Sequence, residues 1–187
     1  RFVKVTKRMR SGDILFSEKM KTNIYRNDSH IIPNGIDTKQ YFDCKKKNKK
    51  FIVITIGRIE KVKNHIKIID FAFELKKQIK NIEFQIIGEG VLFDQVKAYA
   101  AQKNVSDIVI FKGFRKDIAE LCSKADLFIL PSLWEGLPIS LLEAGAAGLP
   151  ILSTPVGSIS DLINETNGYL EEVDNFAETI KYIFENY

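Results

Sequence analysis

From Phe51 onward, apolar runs of strand length alternate with longer stretches in which apolar residues return every third or fourth position. Phe51–Ile56 holds only apolar or β-branched residues and stops at Gly57, the pattern of a parallel strand buried on both faces. His65–Ile79 carries Ile66, Ile69, Ala72 and Phe73 along a helix face, with Asn64 placed as its N-cap. The same alternation predicts strands at Ile82–Ile87, Ile108–Phe111, Asp126–Leu130, Ile151–Ser153 and Gly168–Leu170. It predicts helices at Val91–Gln102, Asp117–Lys124, Leu137–Ala147 and Phe176–Phe184, a helical turn at Ser160–Ile163, and a helix stop at Gly148-Leu149-Pro150. Repeated βα units imply an α/β fold, a three-layer doubly wound parallel sheet. Ligands of such sheets bind beyond the carboxyl ends of the strands, so Gly57–Lys63, Gly88–Gly90, Gly113–Lys116 and Pro131–Pro138 are expected to line one rim. Residues 1–50 are less regular: a short strand within Gly12–Ser17, a helical turn at Ser17–Ile24, an Ile31-Ile32 strand, and an Asn34-Gly35 turn with positive φ.

Composition narrows the classes. The 187 residues suit one domain with a small appendage, and 45% of them are apolar, enough for a core of ordinary size. Charged residues make up 28%, and no apolar run approaches the roughly 18–20 residues of a membrane span, so neither a spanning helix nor wholesale disorder is expected. Cys44 and Cys122 lie far apart and His30 and His65 are the only histidines, so no metal site is expected, and a reducing, cytoplasmic setting is. The chain opens on Arg1 rather than Met and shows no signal peptide, which reads as a fragment or processed product. Its net charge of +4 is unevenly spread: residues 1–50 hold fourteen Lys and Arg against five Asp and Glu, the remainder fourteen against nineteen. The cluster Lys45–Lys47 with Lys49 and Lys50 lacks interleaved aromatics. A solvated linker is therefore the preferred reading over a nucleic-acid surface, with an anionic membrane surface kept as a candidate partner.

The candidate chemistry falls on the predicted rim. Glu135 and Glu143 stand eight positions apart, one in a loop after a strand and one about two turns into the next helix, where both can face one pocket. Between them Gly136 lets backbone approach a ligand, and Pro138 suits the first helical turn because its missing N–H costs nothing there. The N–H groups near Leu137 and Ile139 are thereby open to an anion, while carboxylates accept well from sugar hydroxyls. Phosphate plus polyol is the ligand this predicts, although the spacing alone favours two ordinary surface acids near a helix start. Arg58 and Lys63 follow the strand ending at Gly57 and can serve a diphosphate as a fork and a point charge. Gly88-Glu89-Gly90 resembles a dinucleotide turn, but Phe93 stands where the third glycine belongs, which argues against a dehydrogenase. His65 reads as a surface or packing residue and Trp134 as a rim packing residue. No D-x-D pair, P-loop or G-x-S-x-G occurs.

Taken in order, Ile31-Ile32-Pro33-Asn34-Gly35-Ile36-Asp37, Gly57-Arg58-Ile59-Glu60 with Lys63-Asn64, Ile86-Ile87-Gly88-Glu89-Gly90, Phe111-Lys112-Gly113-Phe114 and Pro131-Ser132-Leu133-Trp134-Glu135-Gly136-Leu137-Pro138-Ile139-Ser140-Leu141-Leu142-Glu143-Ala144 carry a family likeness. They resemble the C-terminal, donor-binding domain of retaining glycosyltransferases of family four, group 1 type, one Rossmann-like half of a GT-B enzyme. The likeness covers about residues 25–187, leaving 1–24 as a remnant of the N-terminal domain and linker. It implies catalytic roles for Arg58, Lys63 and Glu135: the first two hold the donor diphosphate and Glu135 contacts the transferred sugar. It implies substrate binding by Gly57, Gly88, Phe114, Gly136, Leu137, Pro138, Ile139 and Glu143, with backbone N–H groups from Gly136 to Ile139 on sugar and phosphate, Glu143 on the ribose, and the Phe111–Lys116 loop beside the base. The implied activity is transfer from a UDP- or GDP-linked sugar, without a metal, to a glycan or lipid-linked acceptor in cell-surface polysaccharide synthesis. The acceptor site would lie on the protein's own N-terminal domain, so the isolated chain is expected to be inactive; its implied location is cytoplasmic, peripheral to the membrane. Where the family often reads Gly-Gly-x-x-Glu, this chain has Gly157-Ser158-Ile159-Ser160-Asp161. Alternatives are a nucleotide-sugar-binding regulatory module without catalysis and a nucleotide-sugar epimerase, the latter expected to show more catalytic acids and histidines.

Overall fold

The computed structural model describes residues 14–15, 30–41 and 49–186. The strands β3 (Phe51–Ile56), β4 (Ile82–Ile87), β5 (Val109–Gly113), β6 (Leu127–Leu130), β7 (Ile151–Ser153) and β8 (Gly168–Leu170) form one parallel sheet in the order β5-β4-β3-β6-β7-β8. Two short strands, β1 (Ile14–Leu15) and β2 (His30–Ile31), pair separately in parallel. The helices are α1 (His65–Leu75), α2 (Phe93–Gln102), α3 (Ile118–Ser123), α4 (Ile139–Ala146) and α5 (Phe176–Asn186).

Alternation along β3 explains the three layers. Phe51 and Val53 project into a cluster with Ile68, Ile69, Ala72 and Leu75 of α1, Val96 and Ala100 of α2, and Phe176, Ile180 and Ile183 of α5. Ile52, Ile54 and Ile56 project the other way, toward Cys122 of α3 and Leu141 and Ala144 of α4. A strand with an apolar residue at every position but one is what a sheet covered on both faces requires. Helix α1 shows the matching economy: His65, Ile68, Ile69, Ala72 and Leu75 recur at helical spacing and are buried.

The predicted elements are present with shifted ends. Helix α1 stops at Leu75; turns then swing Ile79 back into the core. Asn64 does not cap it with a side-chain bond but takes the left-handed conformation, φ 55°, which joins the 3-10 turn Lys61–Lys63 to α1. Asn tolerates that conformation better than most residues. Helix α2 begins at Phe93, because Gly90 lies against the Ile59 backbone and the Leu92 N–H donates to Ile59 O, holding this stretch out of the helix. Strand β5 runs on to Gly113, the predicted turn after β7 is a 3-10 turn at Ile159–Asp161, and α4 starts after Pro138 rather than at Leu137. Gly148, φ 71°, closes α4 as expected. Asn34 and Gly35 do not adopt positive φ; the Asn34 side chain is spent on a long-range bond described below. The helical turn expected at Ser17–Ile24 and the cluster Lys45–Lys47 lie outside the described residues.

Candidate active site

The sheet reverses its direction of growth between β3 and β6: from β3 the chain proceeds outward to β4 and β5, from β6 outward to β7 and β8. A crevice therefore opens beyond the carboxyl ends of β3 and β6. Two lips border it, Gly57–Lys63 after β3 and Pro131–Pro138 after β6, and the Leu133 N–H donates to Val62 O at 2.8 Å to tie them together.

Across this crevice Lys63 Nζ donates to Glu135 Oε1 at 2.6 Å. Glu135 is 8% exposed, so it is not a surface acid. Taking a carboxylate out of water is costly unless charge and hydrogen bonds replace the lost solvation. Lys63 supplies the charge, and Ser132 Oγ donates a second bond to the same oxygen at 2.6 Å. Ser132 is fixed in turn, since Thr154 Oγ1 donates to its carbonyl at 2.6 Å from the end of β7. The turn after β7 supports the same backbone: Gly157 has φ 60°, a Cβ there would stand 1.9 Å from Glu135 O, and the Ser158 N–H donates to Gly136 O at 3.1 Å. Lys63 has three donors, so a bond to Glu135 leaves others for a ligand.

The remaining candidates distribute around this pair. Gly57 lies beneath the Lys63 side chain, where an added Cβ would meet Lys63 Cε at 3.4 Å. Gly88, φ 135°, passes so close to β3 that a Cβ would overlap Gly57 O. Arg58 stands on the same lip but apart from the pair: its side chain is 79% exposed and bonds Glu60 Oε1 at 2.9 Å. Phe114 projects from the end of β5, exposed, and Ile139 is exposed at the start of α4, whereas Leu137 and Pro138 are buried beneath the loop. Among the described residues, the N–H groups of Gly136, Leu137 and Ile139 have no backbone acceptor, which leaves a short row of donors at the head of α4. Glu143 sits one turn further on, half-buried, and accepts from Tyr41 Oη at 2.9 Å.

Two sequence expectations need correction and one holds. Trp134 is on the rim, yet at 62% exposed it projects into solvent instead of packing. The spacing-based alternative of two surface acids fails at Glu135 for the burial given above. His65 is a packing residue, 3% exposed, with Nδ1 lacking a hydrogen-bond partner among the described residues; burial, and then the Lys63 charge, lower its pKa to about 4. Sequence reasoning missed Ser132, Thr154, Asn34 and Tyr41. The first two are hydroxyl residues at the ends of neighbouring strands, a signal that needs the strand order to be read. Asn34 Nδ2 donates to Leu137 O at 2.6 Å, and with Tyr41 it lashes the segment 34–41 onto the loop and helix that carry the two glutamates. Among the described residues no cluster of His, Cys, Asp and Glu is arranged to hold a metal, and no helix is long and apolar enough to cross a membrane.

A groove of about 690 Å³, lined by Leu141, Leu149, Ile151, Leu162 and Tyr169, lies at the amino ends of β7 and β8, on the opposite side from these residues. It contains none of the candidate acids or cations.

Comparison with known proteins agrees with the geometry. A family model described as glycosyl transferases group 1 matches residues 37–187. The putative glycosyltransferase EpsF of Bacillus subtilis is 35% identical over 189 residues, covering 91% of this chain and 47% of that protein. The UDP-Gal:alpha-D-GlcNAc-diphosphoundecaprenol alpha-1,3-galactosyltransferase of Escherichia coli is 31% identical, covering 80% of this chain and 43% of that protein. The chain thus spans about half the length of the curated relatives it matches. Among solved structures, Anabaena Alr3699/HepE in complex with UDP-glucose superposes with a TM-score of 0.86 at 22% identity, covering 98% of this chain and 57% of that one. S. aureus TarM superposes with a TM-score of 0.81 at 22% identity, covering 99% of this chain and 39% of that one. The structural likeness establishes the fold, one α/β half of a GT-B architecture.

Proposed function

Because the chain belongs to the group 1 glycosyl transferases, we propose that it binds a nucleoside diphosphate sugar and forms the donor half of a retaining transferase. The observation that carries this reading is the Lys63–Glu135 pair at the sheet's reversal point, beside the open N–H row at the head of α4. In this reading residues 25–187 are the donor domain, and residues 1–24 belong to a preceding domain that holds the acceptor. The coverage of about half of each relative supports a second domain. UDP is the favoured carrier, since solved neighbours were crystallised with UDP or UDP-glucose. The reading of a glycan or lipid-linked acceptor at an anionic membrane surface is supported by the diphosphoundecaprenol in the name of the E. coli relative and by the basic residues 1–50.

The chemistry follows from charge development. As the bond from the anomeric carbon to the diphosphate breaks, negative charge grows on the departing phosphate. Lys63, Arg58 and the N–H groups at the head of α4 meet that charge. Glu135 accepts from hydroxyls of the sugar and, through its bond to Lys63, couples sugar position to phosphate position. Glu143 accepts from the ribose.

Calorimetric titration separates these roles. Lys63→Gln keeps a donor for Glu135 yet removes the cation, and is expected to weaken nucleoside diphosphate binding by about 1.5–3 kcal/mol, the value of a hydrogen bond to a charged group. Arg58→Ala is expected to cost less, because Arg58 is exposed and shared with Glu60. Glu135→Gln should leave nucleoside diphosphate affinity undiminished while abolishing any preference for the sugar-bearing ligand. Equal losses for both ligands in Glu135→Gln would refute its assignment to the sugar.

A further inference from the structure

The ribose role proposed for Glu143 leaves open what holds that carboxylate in place. A glutamate side chain has three rotatable bonds, and ordering it on ligand binding has an entropic cost unless the fold has ordered it already. Tyr41 is the group positioned to do so. It ends the 3-10 turn Thr38–Tyr41, is 7% exposed, and packs in the angle between α3 and α4. Its hydroxyl donates to Glu143 Oε1 at 2.9 Å, and among the described residues Glu143 Oε2 has no hydrogen-bond partner. One carboxylate oxygen is therefore occupied and the other presented.

We propose that Tyr41 is a positioning residue that locks the Glu143 carboxylate with Oε2 free for the donor's ribose hydroxyls, and so sets how strongly the site distinguishes a ribonucleotide from a nucleotide without those hydroxyls. The inference rests on the ribose role of Glu143. Burial, reinforced by the bond to Glu143, raises the Tyr41 phenol far above its ordinary range, so the hydroxyl remains a donor throughout the working range of pH. The same buried surroundings, with the Glu143 charge added, push the Cys122 thiol up to about 12, so its sulfur stays a neutral packing group beside the pair. Among the described residues, Tyr41 is the donor that Glu143 meets. Asn34, from the same segment, holds Leu137 O, so the two side chains grip the Glu135–Glu143 stretch at two points.

Tyr41→Phe removes only the hydroxyl and keeps the ring in its pocket. The test uses the 187-residue chain with UDP or GDP, whichever binds the unaltered chain more tightly, and with the 2′,3′-dideoxy form of that nucleotide. Tyr41→Phe is expected to weaken the ribonucleotide about fivefold, the scale of one hydrogen bond, and to change dideoxynucleotide affinity by less than about twofold. Equal weakening of both nucleotides, or no weakening of either, overturns the proposal. Glu143→Gln, measured in parallel, separates the two levels. If Glu143→Gln lowers ribose discrimination and Tyr41→Phe does not, Tyr41 has no positioning role while the ribose reading stands. If Glu143→Gln leaves discrimination intact, the ribose reading fails and the role of Tyr41 falls with it.

Discussion

Single residues in this crevice owe their state to burial. Glu135 keeps its place inside the protein because Lys63 and Ser132 both bond one of its oxygens. His65, two positions beyond Lys63, is buried without such compensation at Nδ1 and so resists protonation. The sign of the consequence is definite. The folded pKa of His65, about 4, lies below its unfolded value of 6.5, so the unfolded chain binds the extra proton between those limits. Stability contributed by neutral His65 is complete above about pH 6.5 and is lost as pH falls toward 4. Between pH 7 and pH 5 this amounts to roughly 2 kcal/mol. Urea unfolding at both pH values should show His65→Leu losing about that much less stability than the parent chain; identical losses would mean that His65 is already protonated in the fold. The depth of burial was not legible in the sequence, where His65 reads as surface or packing alike and Glu135 stands in a loop beside Trp134 and Gly136. Residue types and spacing located Arg58, Lys63, Glu135 and Glu143 along the rim, but which acid is buried depends on partners drawn from other strands.

Elements were easier to read than their ends. The run of apolar and β-branched residues in β3 and the three-to-four-residue recurrence in α1 each have a single burial solution, so their type and place follow from pattern. Their boundaries follow from tertiary contacts: α2 starts late because Leu92 is bonded to Ile59, and Asn34 serves a distant carbonyl instead of a tight turn. The turn after β7 illustrates what motif comparison leaves out. Gly157-Ser158 lacks the second glycine the family often shows, yet Gly157 still provides the close approach to Glu135 O. Gly157→Ala should therefore displace the Glu135 backbone and cost more than about 2 kcal/mol, combining left-handed strain with backbone overlap. Gly148→Ala is the matched control: its φ of 71° is equally left-handed, but an added Cβ meets nothing within 4 Å, so only the strain of about 1–2 kcal/mol remains. Denaturant unfolding of the two variants should rank them in that order, and equal costs would contradict the supporting role of this turn.

At the scale of the whole molecule, the sheet order decides which surface is functional. The reversal between β3 and β6 brings a lysine from one lip and a glutamate from the other to within 2.6 Å, although they lie far apart along the chain. The groove at the amino ends of β7 and β8 contains neither residue. A diphosphate needs cations and N–H donors, so it belongs with the crevice rather than with that groove. Amide chemical-shift mapping of the 187-residue chain titrated with UDP and GDP, repeated with Lys63→Gln, tests this most directly. The predicted result is saturable shifts at Gly57–Lys63 and Leu133–Ile139 with at least one of the two nucleotides, sharply weakened in Lys63→Gln. Shifts confined to Leu149–Tyr169, or saturation unaffected by Lys63→Gln, would contradict the assignment of the crevice as the donor site.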